Sequence, residues 1–360
     1  MSVLTSRPAL RWLVPVTAVV TVVGGGAALG RFAAQAEPSL PPRTAAQLLV
    51  DLQTARHDGF SGTVVQRADL GLPAIAGLAA GDGPADLLTG THTLRVWHSG
   101  PDKQRVALVD TLGERDIIRN GRDVWTWNSR TNTATHRTLP AEKDADAPPE
   151  LPDTPQEAAD AALAAVDPTT EVSVGRAATV AGRDAYELVL APRDAASLVH
   201  QVRIAIDATE HLPLRFEVFA EGGDRPAFEV AFTQIDYARP DDDQFRFNPR
   251  PGVTITEEGA DRSRPARPGK PAGDERPDVR TVGEGWTTVV VAKVDGASRS
   301  ADAGDAPDLD ALSGQLPAVR GDWGSGRLFR SHLVSALLTD DGRLIAGAVT
   351  PERLYEVARG

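Results

Sequence analysis

From Ser61 to Tyr237 apolar and polar side chains alternate with a period of two. Val202, Ile204 and Ile206 alternate with Gln201, Arg203 and Ala205, and Leu214, Phe216 and Val218 alternate with Arg215 and Glu217. Phe228, Val230 and Phe232 alternate with Glu229 and Ala231, and Tyr186, Leu188 and Leu190 continue the series. Such alternation predicts strands with one face packed and the other in water. The predicted strands are Ser61–Gln66, Thr91–His98, Arg105–Asp110, Glu114–Arg119, Asp123–Asn128, Thr133–Thr138, Ala177–Val180, Asp184–Leu190, His200–Asp207, Leu214–Ala220 and Ala227–Tyr237. Gly100-Pro101-Asp102, Asn120-Gly121 and Ser129–Asn132 supply turns between the early ones.

Two segments follow the helical period instead. Thr44 to Arg56 sets Leu48, Leu49 and Leu52 on one stripe behind Thr44 as N-cap. Thr154 to Val166 has Thr154 as N-cap, Pro155 at its first position and Glu157 at its third. The class is therefore α+β, with one large antiparallel sheet. Two short helices are little material to cover so many strands. A strongly curved sheet, an unclosed half-barrel wrapped around the helices, is the economical arrangement, and it leaves an apolar hollow.

Glu257 to Thr281 has no aromatic residue and one aliphatic residue larger than Ala, Val279. Such a segment buries too little surface to order itself and predicts a linker. Ala141–Pro155 and Gly296–Pro307 read as surface loops. Beyond the linker, Gly285–Val294 is predicted as a strand and Arg327–Leu338 with Leu344–Val349 as a hairpin about Asp340-Asp341-Gly342. Thr350-Pro351-Glu352 opens a helix through Ala358. These make a small C-terminal α+β domain. The expected organisation is an export segment 1–36, a sheet domain 37–256, a disordered linker 257–281 and a small domain 282–360.

At the N-terminus Arg7 and Arg11 precede the uncharged run Trp12–Leu29, followed by Ala34-Gln35-Ala36. Positive charge, apolar run and small-x-small site describe a signal peptide. The run is long for a signal core and short for a spanning helix of about 20 residues. It reads as a cleaved signal or as an uncleaved anchor in the cytoplasmic membrane, and either one sends the rest of the chain out of the cytoplasm.

Lys and Arg number 38 against 50 Asp and Glu, for a net charge of −12. This balance argues against nucleic acid as a partner. With no Cys, disulfides, thiolate metal sites, thiol nucleophiles and lipidated cysteines are excluded. Gly59-Phe60-Ser61-Gly62 and Gly324-Ser325-Gly326 both fail the Gly-x-Ser-x-Gly pattern, and Gly269-Lys270 lacks the glycine and the Ser or Thr of a phosphate loop. His92 and His98 share a strand face, but six residues of strand separate them by about 20 Å, too far to share a metal. Asp241-Asp242-Asp243 and Asp305, Asp308 and Asp310 lack the spacing of a calcium loop and read as turns or caps. No catalytic residue, cofactor or metal site is assigned, and the expectation is a non-enzyme.

The apolar features carry more. Asp69–Leu88 is too long and too apolar for a plain connection between strands. Leu72, Ile75 and Leu78 within it either form a lid over an apolar cavity or fill a core. Trp125 and Trp127 share a strand face and either stack in the hollow or pack conventionally. Leu188, Ile204, Ile206, Phe216, Val218, Phe228, Val230 and Phe232 complete the candidate cavity lining.

Several runs resemble the LolA/RseB (MucB)-like family. They are Leu94-Arg95-Val96-Trp97, Pro101-Asp102-Lys103-Gln104-Arg105-Val106 and Ile118-Arg119-Asn120-Gly121-Arg122-Asp123-Val124-Trp125-Thr126-Trp127. Val180-Ala181-Gly182-Arg183-Asp184-Ala185-Tyr186, Val202–Asp207 with His211-Leu212-Pro213-Leu214-Arg215, and Phe245-Arg246-Phe247-Asn248-Pro249 continue the likeness. The family includes the outer-membrane lipoprotein carrier LolA, the regulator RseB/MucB and sporulation-associated proteins of Gram-positive bacteria. The resemblance covers roughly residues 40–256. It implies an unclosed barrel around helices whose apolar cavity takes the acyl chains of a lipid or lipoprotein. The C-terminal strand, hairpin and helix are similar to the small domain of RseB, which implies an alternative role as a regulator that binds a membrane anti-sigma factor or other envelope protein through residues 282–360. One departure is that no Cys follows the export segment, so the chain is not a lipoprotein.

Overall fold

The computed structural model describes residues 38–72, 89–110, 113–139, 168–258, 279–293 and 314–360. The export segment, most of the Asp69–Leu88 run with Ile75 and Leu78, the helix expected at Thr154–Val166, and most of the expected linker lie outside the described residues. After helix α1 (Ala45–Thr54) come strands β1 (Gly59–Asp69), β2 (Thr89–Ser99), β3 (Lys103–Asp110), β4 (Gly113–Asn120), β5 (Asp123–Asn128) and β6 (Thr133–Thr138). Then come β7 (Thr170–Val174), β8 (Ala178–Val180), β9 (Arg183–Pro192), β10 (Val199–Asp207), β11 (Pro213–Ala220), β12 (Pro226–Asp236) and β13 (Thr254–Glu258). All belong to one sheet, ordered β13-β6-β5-β4-β3-β2-β1-β12-β11-β10-β9-β7 with β8 beside β9. β13 and β7 end that order without meeting, so the sheet is unclosed.

Strands β5 and β6 fall on their predicted residues, and the others shift by one to a few. The Asn120-Gly121 turn forms with Gly121 at φ +61°, a conformation that glycine adopts without a steric penalty. Two strands of this sheet were not foreseen. β7 is short and carries Glu171 and Ser173 among its few residues, and β13 (TITEE) is as short and ends on two acids. β13 also breaks the meander, because it pairs with β6 in parallel. The chain reaches that position by crossing the sheet between β12 and β13. A single 3-10 turn, Asp242–Phe245, lies on that path, with Lys103 paired to Asp242 at 2.7 Å and Phe247 stacked 4.7 Å from Trp125.

The second sheet runs β14-β15-β19-β18-β17-β16, from β14 (Val279–Val282), β15 (Val289–Lys293), β16 (Ala318–Gly321), β17 (Gly324–Arg330), β18 (Ser335–Thr339) and β19 (Arg343–Gly347). Helix α2 (Pro351–Ala358) covers one face, packing Leu354 and Val357 on Val289, Val291, Leu337 and Ile345. The predicted arm Arg327–Leu338 is in fact two strands. Ser331 breaks it, since its N–H donates to the Val334 carbonyl at 2.9 Å and its hydroxyl oxygen accepts the Val334 N–H at 3.0 Å. The predicted strand Gly285–Val294 begins only at Val289, because Gly285–Thr287 forms a 3-10 turn with Gly285 at φ +52°. Both ends of the expected linker are strand, Glu257 and Glu258 in β13 and Val279–Thr281 in β14.

The two sheets are joined by main chain. Ser197 and Val349 form an isolated antiparallel bridge. On either side of it the Leu198 N–H donates to Ala348 O at 2.9 Å and the Thr350 N–H to Ala196 O at 2.8 Å.

Candidate functional site

Side chains directly opposite in an antiparallel pair point to the same face, so register assigns every residue of the large sheet to a side. One row runs Leu188–Ile204–Phe216–Val230 across β9, β10, β11 and β12, and its neighbour runs Leu190–Val202–Val218–Phe228. The same face continues through Phe232, Val64, Leu94 and Leu108, and through Val96 and Val106 to Ile117 on β4. We call this the inner face because α1 lies on it.

Helix α1 is positioned by its own sequence. Thr44 and Gln47 form a reciprocal capping box, the Thr44 N–H donating to Gln47 Oε1 at 2.9 Å and the Gln47 N–H to Thr44 Oγ1 at 3.2 Å. Its Leu48 and Leu49 are buried against Tyr186, Leu188, Val202, Ile204 and Ile206. The Tyr186 hydroxyl donates to Pro41 O at 2.9 Å and pins the approach to the helix. Trp286, Leu333 and Ala348 of the C-terminal part pack on the same cluster.

The predicted lining residues therefore divide. Leu188, Ile204, Ile206, Phe216, Val218, Phe228, Val230 and Phe232 share the inner face. The first three are buried beneath α1, whereas Phe216, Val218, Phe228 and Phe232 are half-buried. Leu72 is half-buried just beyond the end of β1. Trp125 and Trp127 are not in this wall. They pair with Ile118 and Asp116, one residue out of phase with the inner row, and so lie on the outer face. Trp125 is sandwiched there between His136 (4.3 Å) and Phe247 (4.7 Å). The alternation inside β5 put both indoles on one side but could not say which, since Val124 and Thr126 are weak markers of a face. Sequence reasoning also passed over Val64, Leu94, Val96, Val106 and Ile117. The alternation in β2 and β3 was the available signal, and Ile117, 47% exposed, carries the apolar row out to solvent.

The polar chemistry is structural. Asp207 is buried and accepts from Arg183 Nε (2.8 Å), the N–H groups of Thr209 (2.8 Å) and Glu210 (3.0 Å), and the Tyr237 hydroxyl (2.9 Å). Burial alone would raise its carboxyl, but these donors outweigh it and hold the group at about 2. On the outer face Glu187 pairs with Arg215 at 3.1 Å, and burial raises Glu217 beside it. Burial also lowers His57 and His98, which lie against Tyr237 (5.9 Å) and Phe60 (5.1 Å). Among the described residues no group of three or more His, Asp or Glu converges to hold a metal. Clefts open among them at two places of note. One of 360 Å³ lies between the β11–β12 turn and His332, and one of 230 Å³ lies on the outer face across β12, β1 and β2.

Residues 89–249 match the family model for the MucB/RseB N-terminal domain, a stretch that begins at β2 and ends between β12 and β13. Among solved structures, MucB in the Pseudomonas aeruginosa MucA/MucB complex is 19% identical, with 87% of this chain and 96% of that chain covered and a TM-score of 0.42. A conserved protein of Thermus thermophilus is 13% identical over 59% of this chain and 99% of that one, with a TM-score of 0.36. A LolA superfamily protein of Nitrosomonas europaea is 14% identical over 57% and 99%, with a TM-score of 0.23. No curated protein matches. Across residues 89–249, within an unclosed antiparallel-rich sheet that a second small sheet accompanies, the chain is similar to the MucB/RseB N-terminal domain.

Proposed function

We propose that this protein is an extracytoplasmic, non-enzymatic binding protein that shelters the acyl chains of a lipid or lipoprotein on the inner face of its large sheet. One observation carries this reading. The inner face is mostly apolar from β9 to β4, interrupted by the buried Gln66 and by His92 and Arg115, and α1 packs on the part formed by β9 and β10, leaving Phe216, Val218, Phe228 and Phe232 half-buried. Each methylene buried against such a surface contributes about 0.8 kcal/mol, so an acyl chain binds there without catalytic groups. The Trp12–Leu29 run supports a location outside the cytoplasm, by cleaved signal or by anchor. Native mass spectrometry of the full chain purified from its host envelope, with lipid extraction, tests the reading. Co-purified lipid and saturable uptake of a fluorescent fatty acid are expected. A bare mass together with no uptake would overturn it.

A second reading is favoured by the second sheet. On the face away from α2, Val279, Val290 and Leu344 are 54%, 41% and 38% exposed, with Ala292, Ala346, Leu338 and Phe329 in the same rows. An uncovered apolar sheet face of this kind fits a docked partner, here a membrane protein bound through residues 282–360. Val290→Glu with Leu344→Glu, in the full chain, would abolish cross-linking to a membrane partner and leave fatty-acid uptake intact. Cross-linking that survives the double variant would end this reading.

A further inference from the structure

We propose that the outer face carries a saccharide site where β12, β1 and β2 cross. The 230 Å³ cleft there is lined by Trp97, Arg95, Ser61, Thr63, Gln234 and Asp236, with Gly62 in its floor. Register sets Gln234, Thr63 and Arg95 in one cross-strand row and Asp236, Ser61 and Trp97 in the next. A bulge between Thr63 and Val64 marks the same spot. Gly62 reaches the cleft through its backbone, since a Cβ there would point to the inner face, within 2.5 Å of Gln234 O and 2.8 Å of the Phe232 ring, and the residue has to be glycine.

The cleft differs from the rest of the outer face in how its polar groups are used. Arg67 is paired with Glu229 at 2.7 Å and Arg215 with Glu187 at 3.1 Å. Among the described residues, the side chains of Arg95, Gln234 and Ser61 make no hydrogen bond or ion pair. Asp236 Oδ1 accepts the Ala238 N–H at 2.8 Å, which leaves Oδ2 for another donor. The Trp97 indole is held in place by the Arg105 guanidinium, 5.1 Å from the ring centre, and that guanidinium is anchored at 2.6 Å to Asp116.

An indole beside unspent donors and acceptors suits a pyranose. The sugar's C–H face is apolar and packs on an aromatic ring, while its rim hydroxyls both donate and accept. Arg95 and Gln234 supply donors, Asp236 Oδ2 an acceptor and Ser61 either. A carboxylate, Asp236, lining the same cleft as Arg95 disfavours a bare anion. The volume is below the ~300–1,000 Å³ of drug-sized pockets, which fits one ring of a glycan. The cleft faces away from the apolar wall, so this inference does not depend on acyl binding.

Saturation-transfer difference NMR on the full chain, with the methyl glycosides of glucose and N-acetylglucosamine as probes, tests it. Transfer to the ring C–H protons is expected, falling several-fold in Arg95→Ala and in Gln234→Ala, both exposed positions, while circular dichroism and fatty-acid uptake stay unchanged. Absence of transfer from the unmodified protein overturns the proposal. So does transfer that both variants retain, or transfer that inorganic phosphate abolishes, which would mark an anion site instead.

Discussion

The indole N–H of Trp286 donates to Thr170 Oγ1 at 2.7 Å, a bond from the turn before β15 to the first residue of β7. The same ring packs on the apolar cluster beneath α1. One side chain therefore ties the second sheet to the edge of the first, close to the bridge at Ser197 and Val349.

Substitution at Trp286 separates the two contributions. Trp286→Phe keeps an aromatic ring and loses the hydrogen bond, at a cost of about 1 kcal/mol. Trp286→Ala also loses the packing, for a total of about 3 kcal/mol. Urea unfolding followed by circular dichroism checks both, and in the Ala variant the unfolding of the two sheets is expected to resolve into separate steps. A midpoint unchanged in both variants would show that the bridge, the packing of Leu333 and Ala348 and the His332 N–H bond to Leu70 O join the sheets without help from Trp286.

The inner face predicts a second asymmetry. Phe228 is half-buried at the part of the wall beyond α1, whereas Leu188 is fully buried under the helix. Phe228→Ser should lower fatty-acid uptake by an order of magnitude or so at a modest stability cost of about 1–2 kcal/mol. Leu188→Ala should cost about 3 kcal/mol of stability and affect uptake little once folded. Fluorescent fatty-acid titration alongside thermal melts separates the pair. Equal binding losses in the two variants would place the ligand elsewhere.

Asp207 makes the fold sensitive to acid. Its carboxyl is held at about 2 in the folded state, against about 3.9 in an unfolded chain. The contribution is present in full above the unfolded value and is lost as pH falls from about 4 through 2. Asp207→Asn removes the dependence, and Asp207→Ala leaves the Arg183 guanidinium and Tyr237 hydroxyl without their shared acceptor, costing about 3 kcal/mol. Melting temperatures measured between pH 2 and 5 should fall more steeply for the native chain than for Asp207→Asn. Parallel curves would mean that other carboxylates dominate.

How far this was legible in the sequence follows from the kind of signal each element carries. The strands β10, β11 and β12 announce themselves through aliphatic and aromatic side chains at alternate positions, so the face those side chains share is legible in each strand alone. β5 has the same alternation in DVWTWN, but both of its phases carry apolar residues, so its face is decided only by the strands it pairs with. The crossing that leads to β13 was illegible for another reason. Phe245 buries itself and Phe247 stacks half-buried on the outer face of β3 to β5, a face that the polar residues Lys103, Arg105 and Asp116 mark as wet when each strand is read alone. The saccharide cleft joins the consecutive strands β1 and β2 to β12, which comes much later in the chain, and no local pattern could have assembled it.

That covered outer face also predicts an unusual response to pH. Asp116 is buried opposite Trp127, with Oδ2 at 2.6 Å from Arg105 and Oδ1 without a hydrogen-bond donor. Burial pushes its carboxyl up to about 6, the Arg105 charge opposing and neighbouring Glu114 adding to the rise. A proton shared with Glu114 would satisfy the oxygen that lacks a donor. Because the folded value lies above the unfolded one, the stabilising contribution is complete below about pH 4 and is lost as pH rises through 6. Asp116→Asn keeps the shape and removes the titration. The variant should therefore gain on the native protein between pH 4.5 and 7.5, by about 1–2 kcal/mol. Urea midpoints at the two pH values measure this directly. A difference between the two proteins that stays constant across the range would show that Asp116 keeps its charge at pH 4.5, with the Arg105 pair stronger than the burial that opposes it.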